Sequence, residues 1–261
     1  MCGRKIITIM DYILKKVRFL YKTQGILGPI RALGRKVYYF GVRIPGHFFS
    51  YLWVIAVRRR RFPTFVFQGK TYKYLSSYKN FAWLSERTAE VPVAAGYLRD
   101  ALGKGKRVLE VGDTLRQYTG LRAQDIVDKY EFRKGIINTD IEEFVPKERY
   151  DFIISVSTME HVGWDTPDIR DPDKSMRVLW AFKNKFLTPG GTAVITLPIG
   201  QNPELNKRLF EHKLPFSEMY FLKRVSMENE WAETDEMDAA TKKYDSPFPN
   251  ANAVAIGIIR A

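Results

Sequence analysis

The stretch LEVGDTLRQYTG, residues 109–120, carries a short apolar strand (107–111) into a turn at Gly112. Working outward from it, apolar strands and helical patterns alternate. Residues 125–127, 135–138, 150–157 (YDFIISVS) and 192–197 (TAVITL) read as further strands. The run 150–157 is nearly all apolar, as expected of a parallel strand buried on both faces. Residues 172–187 have helical spacing and stop at Pro189-Gly190-Gly191; 203–212 and 217–230 also read as helical, and 253–259 as a last strand. Upstream, 65–75 is strand-like around a turn glycine. Residues 80–102 read as a helix interrupted near Pro92 and resumed after it, ended by Gly103 and Gly105. This alternation predicts a doubly wound, mainly parallel α/β sheet.

In such sheets the ligand lies beyond the carboxyl ends of the strands, near the switch point. A dinucleotide site would want G-x-G-x-x-G, but only Gly112 is in place, with Thr114 and Gln117 at the other positions. No G-x-x-x-x-G-K-[ST] loop occurs either, so a phosphate-bearing cofactor has no evident cradle. S-adenosylmethionine carries no phosphate. It needs one close backbone approach, acceptors for its amino group and ribose hydroxyls, and a slot for adenine. Glu110 and Asp113 flank the first turn, Asp128 ends the second strand 18 residues after Glu110, and Asp140 ends the third, followed by Ile141.

Taken together, VLEVGD (108–113), IVDKYE (126–131), INTDIEEF (137–144), YDFIISVSTMEHVGW (150–164) and FLTPGGTAVITLPIG (186–200) resemble class I SAM-dependent methyltransferases. The likeness is greatest to a bacterial subgroup found among polysaccharide and glycolipid biosynthesis proteins. ERTAEVP (86–92) and PNANAVAIG (249–257) are similar to that subgroup too, and the resemblance covers about 65–261. It implies a Rossmann-like fold and a methyltransferase with S-adenosylmethionine as cofactor. Glu110 and Gly112, with Asp113, would form the loop around the methionine moiety. Asp128 would take the ribose hydroxyls and Asp140 the adenine amino group, with the Ile141 N–H on the ring. Ser157 is counted among the cofactor contacts. Two features depart from the family: the first loop lacks further glycines, and six residues between Tyr130 and Ile137 are too few for a parallel crossover, which takes a dozen or more.

Methyl transfer to a hydroxyl needs a group to take the proton. His161, with Glu160 beside it after the fourth strand, is the candidate, since an imidazole titrates near neutral pH. Glu160-His161 and Glu211-His212 could instead hold a cation, but Ser157 stands where the first Glu of an E-x-x-E-H set would be, and no metal is expected. The lone Cys2 lies far from these motifs. It excludes an intramolecular disulfide and a four-cysteine zinc site, and it is no cysteine nucleophile for pyrimidine chemistry. A [DN]-P-P-[YFW] run, seen in amino-methylating nucleic-acid enzymes, is absent.

With 261 residues and 45% hydrophobic composition the chain can bury a core, which excludes full disorder. Its charge of +13 is unevenly spread. Residues 1–80 carry 17 Lys and Arg against one acid, Asp11; residues 81–261 carry 25 against 28 acids, a net of −3. Residues 4–22 read as a basic amphipathic helix, and the apolar run 48–57 (FFSYLWVIAV) precedes Arg58–Arg61. That run is half the roughly 20 residues of a membrane span. Extended backwards it meets Pro45 and Arg43, so a span over 36–57 is poor. Residues 1–63 are therefore expected to be a partly apolar helical arm that lies on an anionic membrane at its cytoplasmic face, and 64–261 the methyltransferase domain. A basic subdomain packed on the body and making a homodimer contact is one alternative; non-specific nucleic-acid binding is another, without a motif to support it. The expected activity is O-methylation of a glycan, glycolipid or lipid-linked intermediate. A degenerate scaffold subunit and a soluble small-molecule methyltransferase stand as alternatives.

Overall fold

The computed structural model describes residues 44–165 and 170–261; the helix expected over 4–22 lies outside the described residues. Helix α1 (Ile44–Arg61) leads into a hairpin of β1 (Thr64–Phe67) and β2 (Lys70–Lys73), then α2 (Arg87–Gly103). The central elements follow: β3 (Val108–Val111), α3 (Leu115–Thr119), β4 (Asp125–Val127), β5 (Tyr150–Val156), α4 (Lys174–Ala181) and β6 (Leu187–Pro198). The chain closes with α5 (Pro203–Phe210), β7 (Glu218–Arg224), β8 (Trp231–Thr234), α6 (Glu236–Ala240) and β9 (Ala253–Arg260).

Seven strands form one sheet in the order β4-β3-β5-β6-β9-β7-β8. The pairs among β4, β3, β5 and β6 are parallel and the other three antiparallel, so five of the seven strands point one way. The chain leaves β3 for β4 on one side and then returns to β5 on the other. That reversal is the switch point the sequence pattern predicts.

Side chains alternate across the sheet and build a core on each face. Leu109, Ile153, Ala193 and Ile195 pack under α4 and α5, whereas Val108, Phe152, Ile154 and Val194 pack under α2. β9 follows the same rule, with Ala253, Ala255 and Ile259 on the first face and Val254, Ile256 and Ile258 on the second. Gly257 leaves room on the first face for Phe216, whose ring would lie 2.4 Å from a Cβ.

Three sequence expectations are corrected. The strand expected at 135–138 is a single parallel bridge, Val127 to Ile137, because the connection after β4 is too short to carry a crossover helix. Residues 217–230 are not helical: 218–224 form β7, because pairing with β9 on one side and β8 on the other outweighs their helix-forming composition. α2 runs unbroken through Pro92. The Thr88 carbonyl that Pro92 leaves without a helical donor accepts from the Leu75 N–H at 2.9 Å.

The arginine run also divides. Arg60 and Arg61 are exposed, but Arg58 is buried, 2% exposed. It donates to Thr88 Oγ1 (2.7 Å) and to the carbonyls of Trp83 (2.8 Å) and Glu228 (3.3 Å), with Tyr74 beneath its guanidinium. Val54 and Ile55, one turn earlier, pack on Trp83. The second half of α1 is thus part of the body's packing, although the sequence reading places it in the arm. No helix among the described residues is long and apolar enough to cross a membrane. Arg58→Ala should cost about 3 kcal/mol of stability, measured by urea unfolding, since it removes three hydrogen bonds, two of them buried, and opens a cavity. A loss under about 0.5 kcal/mol, the range of ordinary surface substitutions, would show that α1 is not anchored this way.

Candidate active site

Where β3, β4 and β5 end, their following residues enclose a cavity of about 300 Å³. Gly112, Asp113, Asp128, Asp140, Ile141, Ser157 and His161 all line it. Residues far apart in sequence are therefore brought to one wall. The cavity runs from Asp140 and Ile141, beyond β4, past Asp128 to Gly112 and Ser157 at the ends of β3 and β5.

Gly112 has φ +87°, and a Cβ there would lie 2.2 Å from Thr158 Oγ1. Only glycine lets the loop after β3 pass so close to the loop after β5. Asp128 holds that loop: its Oδ2 accepts from Asp113 N (3.1 Å) and its Oδ1 from Tyr130 N and Glu131 N (2.7 and 2.9 Å). Asp140 accepts from Lys129 and Lys174 (2.8 and 2.7 Å) and from Glu142 N (3.1 Å). Burial opposes its ionisation, but those bonds outweigh burial and hold its pKa down to about 2. A carboxylate offers about four acceptor positions, so Asp128 and Asp140 each keep one. Asp113 is different: Arg116 binds both its oxygens (2.8 Å each) and Gln117 bonds its carbonyl (2.6 Å). Its carboxylate shapes the loop, and its backbone N–H and carbonyl are engaged by Asp128 and Gln117.

Ser157 has φ +44°, uncommon for a residue with a side chain. A buried network over-determines it. Ser157 Oγ donates to Glu90 Oε1 (2.5 Å), Thr196 Oγ1 donates to Glu90 Oε2 (2.7 Å), and Ser157 N donates to Thr196 Oγ1 (3.1 Å). Burial, and then the neighbouring charge of Glu86, push Glu90 up to about 7.

Two predicted site residues do not line the cavity. Glu110 is 1% exposed, and its Oε1 accepts from Leu115 N at 2.6 Å, bracing the start of α3 beneath the loop. Burial pushes it up to about 7. Glu160 is also 1% exposed, with neither oxygen hydrogen-bonded among the described residues. It sits behind His161, Oε1 lying 3.6 Å from Nε2, and burial pushes it up to about 8 against the pull of His161. Such a carboxyl keeps its proton in the native state after the unfolded chain has lost it. Stability should therefore fall as pH rises from about 4.5 to about 8. Glu160→Gln should flatten that slope by up to about 1.4 kcal/mol per pH unit in urea unfolding across the window. An unchanged slope would show that Glu160 is ionised in the fold.

His161 lies in the wall with Nδ1 2.8 Å from Asp165 Oδ1 and Nε2 3.2 Å from the Gln201 amide nitrogen. An ionised carboxylate only accepts, so Nδ1 carries the hydrogen and Nε2 the lone pair. Burial lowers the imidazole pKa, but the hydrogen bond to Asp165 outweighs burial and raises it. The second acid–histidine pair is elsewhere: Glu211 pairs with Lys213 and His212 with Glu236.

Sequence reasoning missed Arg87, Tyr118, Lys129 and Lys174, which also line the cavity. Arg87 lies inside the ERTAEVP stretch, which marked its segment but not its role.

No family model and no curated protein matches the chain. Solved structures do resemble it. The N-methyltransferase NodS from Bradyrhizobium japonicum WM9, in complex with S-adenosyl-L-homocysteine, is 14% identical over 64% of this chain and 85% of its own, with a TM-score of 0.38. The 1,6-didemethyltoxoflavin-N1-methyltransferase of Burkholderia thailandensis, with bound 1,6-didemethyltoxoflavin and S-adenosylhomocysteine, is 14% identical over 75% of this chain and 97% of its own, with a TM-score of 0.37.

Proposed function

We propose that the chain is an S-adenosylmethionine-dependent methyltransferase. The observation that carries this reading is one cavity at the switch point joining the Gly112 turn, Asp128 after β4, Asp140 after the Ile137 bridge, and His161. The residues fit the cofactor. Gly112 gives the close backbone approach, since a side chain there would collide with Thr158. Asp128 keeps an acceptor for ribose hydroxyls, Asp140 one for the adenine amino group, and Ile141 supplies an apolar wall. When bound, S-adenosylmethionine supplies an electrophilic methyl group on a sulfonium.

The acceptor is a hydroxyl. A neutral imidazole held on Nδ1 by Asp165 has its lone pair on Nε2, where an acceptor hydroxyl would take the place of the Gln201 amide and give up the proton that O-methylation releases. His161→Ala should lower turnover about 10²- to 10⁴-fold with cofactor affinity kept. Turnover should rise with pH through a midpoint above 6.5, because only neutral His161 can take the proton. Asp165→Asn should shift that midpoint down. A pH profile unmoved by both changes would remove His161 from catalysis.

The acceptor class is a glycan, glycolipid or lipid-linked intermediate at the cytoplasmic membrane face. Support comes from the basic front end and from α1, where Leu52 and Trp53 are exposed and Arg60 and Arg61 follow. Purified protein given methyl-labelled S-adenosylmethionine and membranes of its source cell should label the lipid-extractable fraction. Label confined to small water-soluble products would overturn this acceptor class.

A further inference from the structure

A buried group beside the candidate base has nothing to bond. Glu160 is 1% exposed, and neither carboxyl oxygen is hydrogen-bonded among the described residues. Buried polar groups are nearly always satisfied, so an orphaned carboxyl calls for a partner that binds there. Its Oε1 lies 3.6 Å from His161 Nε2, the nitrogen with the lone pair. The loop after β6 lies over both residues: Asn202 Nδ2 donates to the Glu160 carbonyl at 3.0 Å, and the Gln201 amide reaches His161 Nε2 at 3.2 Å. Gln201 bonds the imidazole but leaves the carboxyl untouched. A group that displaces its amide therefore meets Nε2 and Oε1 side by side.

The spacing of those two atoms selects what can fill the gap. A hydroxyl oxygen would sit about 2.8 Å from each of them. One oxygen could touch both only with an angle of about 80° between them, too narrow for one donated and one accepted bond. Two hydroxyls held gauche on adjacent ring carbons have their oxygens about 2.8 Å apart, one hydrogen-bond length. Such a pair spans the 3.6 Å gap with one oxygen on each atom. The chemistry of the carboxyl agrees. Burial pushes Glu160 up to about 8, so at neutral pH it keeps its proton and can both donate and accept, which suits a neutral hydroxyl and not a cation. We propose that Glu160 sets acceptor specificity by binding a second hydroxyl next to the one on His161 Nε2, so that the acceptor is a vicinal diol such as a sugar ring carries. This proposal rests on the O-methylation reading above.

The test is titration of the full chain, saturated with S-adenosylhomocysteine, with cis-cyclohexane-1,2-diol and with cyclohexanol, which differ by the one hydroxyl. Ligand-observed NMR reads the millimolar affinities of such small probes. The wild type should bind the diol roughly tenfold more tightly, the value of one hydrogen bond to a buried group. Glu160→Leu should bring that ratio to about twofold or less. Glu160→Gln keeps a donor and an acceptor and should retain most of it. Thermal unfolding separates recognition from structure: Glu160→Leu exchanges an unpartnered carboxyl for an apolar group of similar size and should melt no lower than the wild type. Equal affinities for the two probes, no binding of the diol, a ratio unchanged in Glu160→Leu, or a lower melting temperature in that variant overturns the diol site while leaving the cofactor reading intact. Failure of the folded wild type to bind S-adenosylhomocysteine overturns both.

Discussion

Gly112→Ala should destabilise the chain by about 2–4 kcal/mol and weaken binding of S-adenosylhomocysteine at least roughly 100-fold. Two effects combine. The backbone sits at φ +87°, where an L-residue is strained, and the new methyl would lie 2.2 Å from Thr158 Oγ1 and 3.1 Å from its Cβ. Rotating Thr158 cannot relieve the second contact, so the loops after β3 and β5 must separate. Those loops are the floor of the cavity, and affinity should fall further than stability alone requires. Urea unfolding and calorimetry on the same protein check both numbers. A variant with wild-type stability and affinity would show that the loops do not meet there.

The second large effect is expected at Glu90. Glu90→Ala should cost about 3–5 kcal/mol, because it leaves the hydroxyls of Ser157 and Thr196 buried without an acceptor and opens a cavity between α2 and the sheet. It also frees Ser157 to relax from φ +44°, so cofactor affinity should fall as well. Glu90→Gln keeps the shape and one acceptor oxygen, and each hydroxyl can accept as well as donate, so its cost should be nearer about 1 kcal/mol. Near pH 7 the native carboxyl is already partly protonated, which brings Glu90→Gln closer still to the wild type. Equal losses for Glu90→Ala and Glu90→Gln, read by thermal or urea unfolding, would contradict a hydrogen-bonding role.

Much of the fold was legible because buried parallel strands announce themselves. VLEV, DIV, YDFIISV and the run through TAVITL each fall on a strand of the sheet, and their order places the switch point. The errors have physical causes. Residues 217–230 hold Glu, Met, Leu and Lys, all good helix formers, and only the tertiary pairing with β9 makes 218–224 a strand. Pro92 signalled a break that a donor from outside the helix, Leu75 N, makes unnecessary. In the site, Asp128 and His161 follow strand ends and Asp140 follows the Ile137 bridge, and all three line one cavity, because a parallel sheet delivers its carboxyl ends to one edge. Position alone did not tell a wall from a foundation. Glu110 and Glu160 have the right spacing, yet they are buried beneath the loops they were expected to decorate. Arg87 was invisible for the opposite reason: it enters from a helix before the first strand of the sheet, where no strand-end rule applies.

The measurement that bears most directly on the methyltransferase reading is calorimetric titration of the folded chain with S-adenosylmethionine and S-adenosylhomocysteine. One site of micromolar affinity is expected, lost in Gly112→Arg. No detectable binding of either compound by folded wild-type protein would contradict that reading.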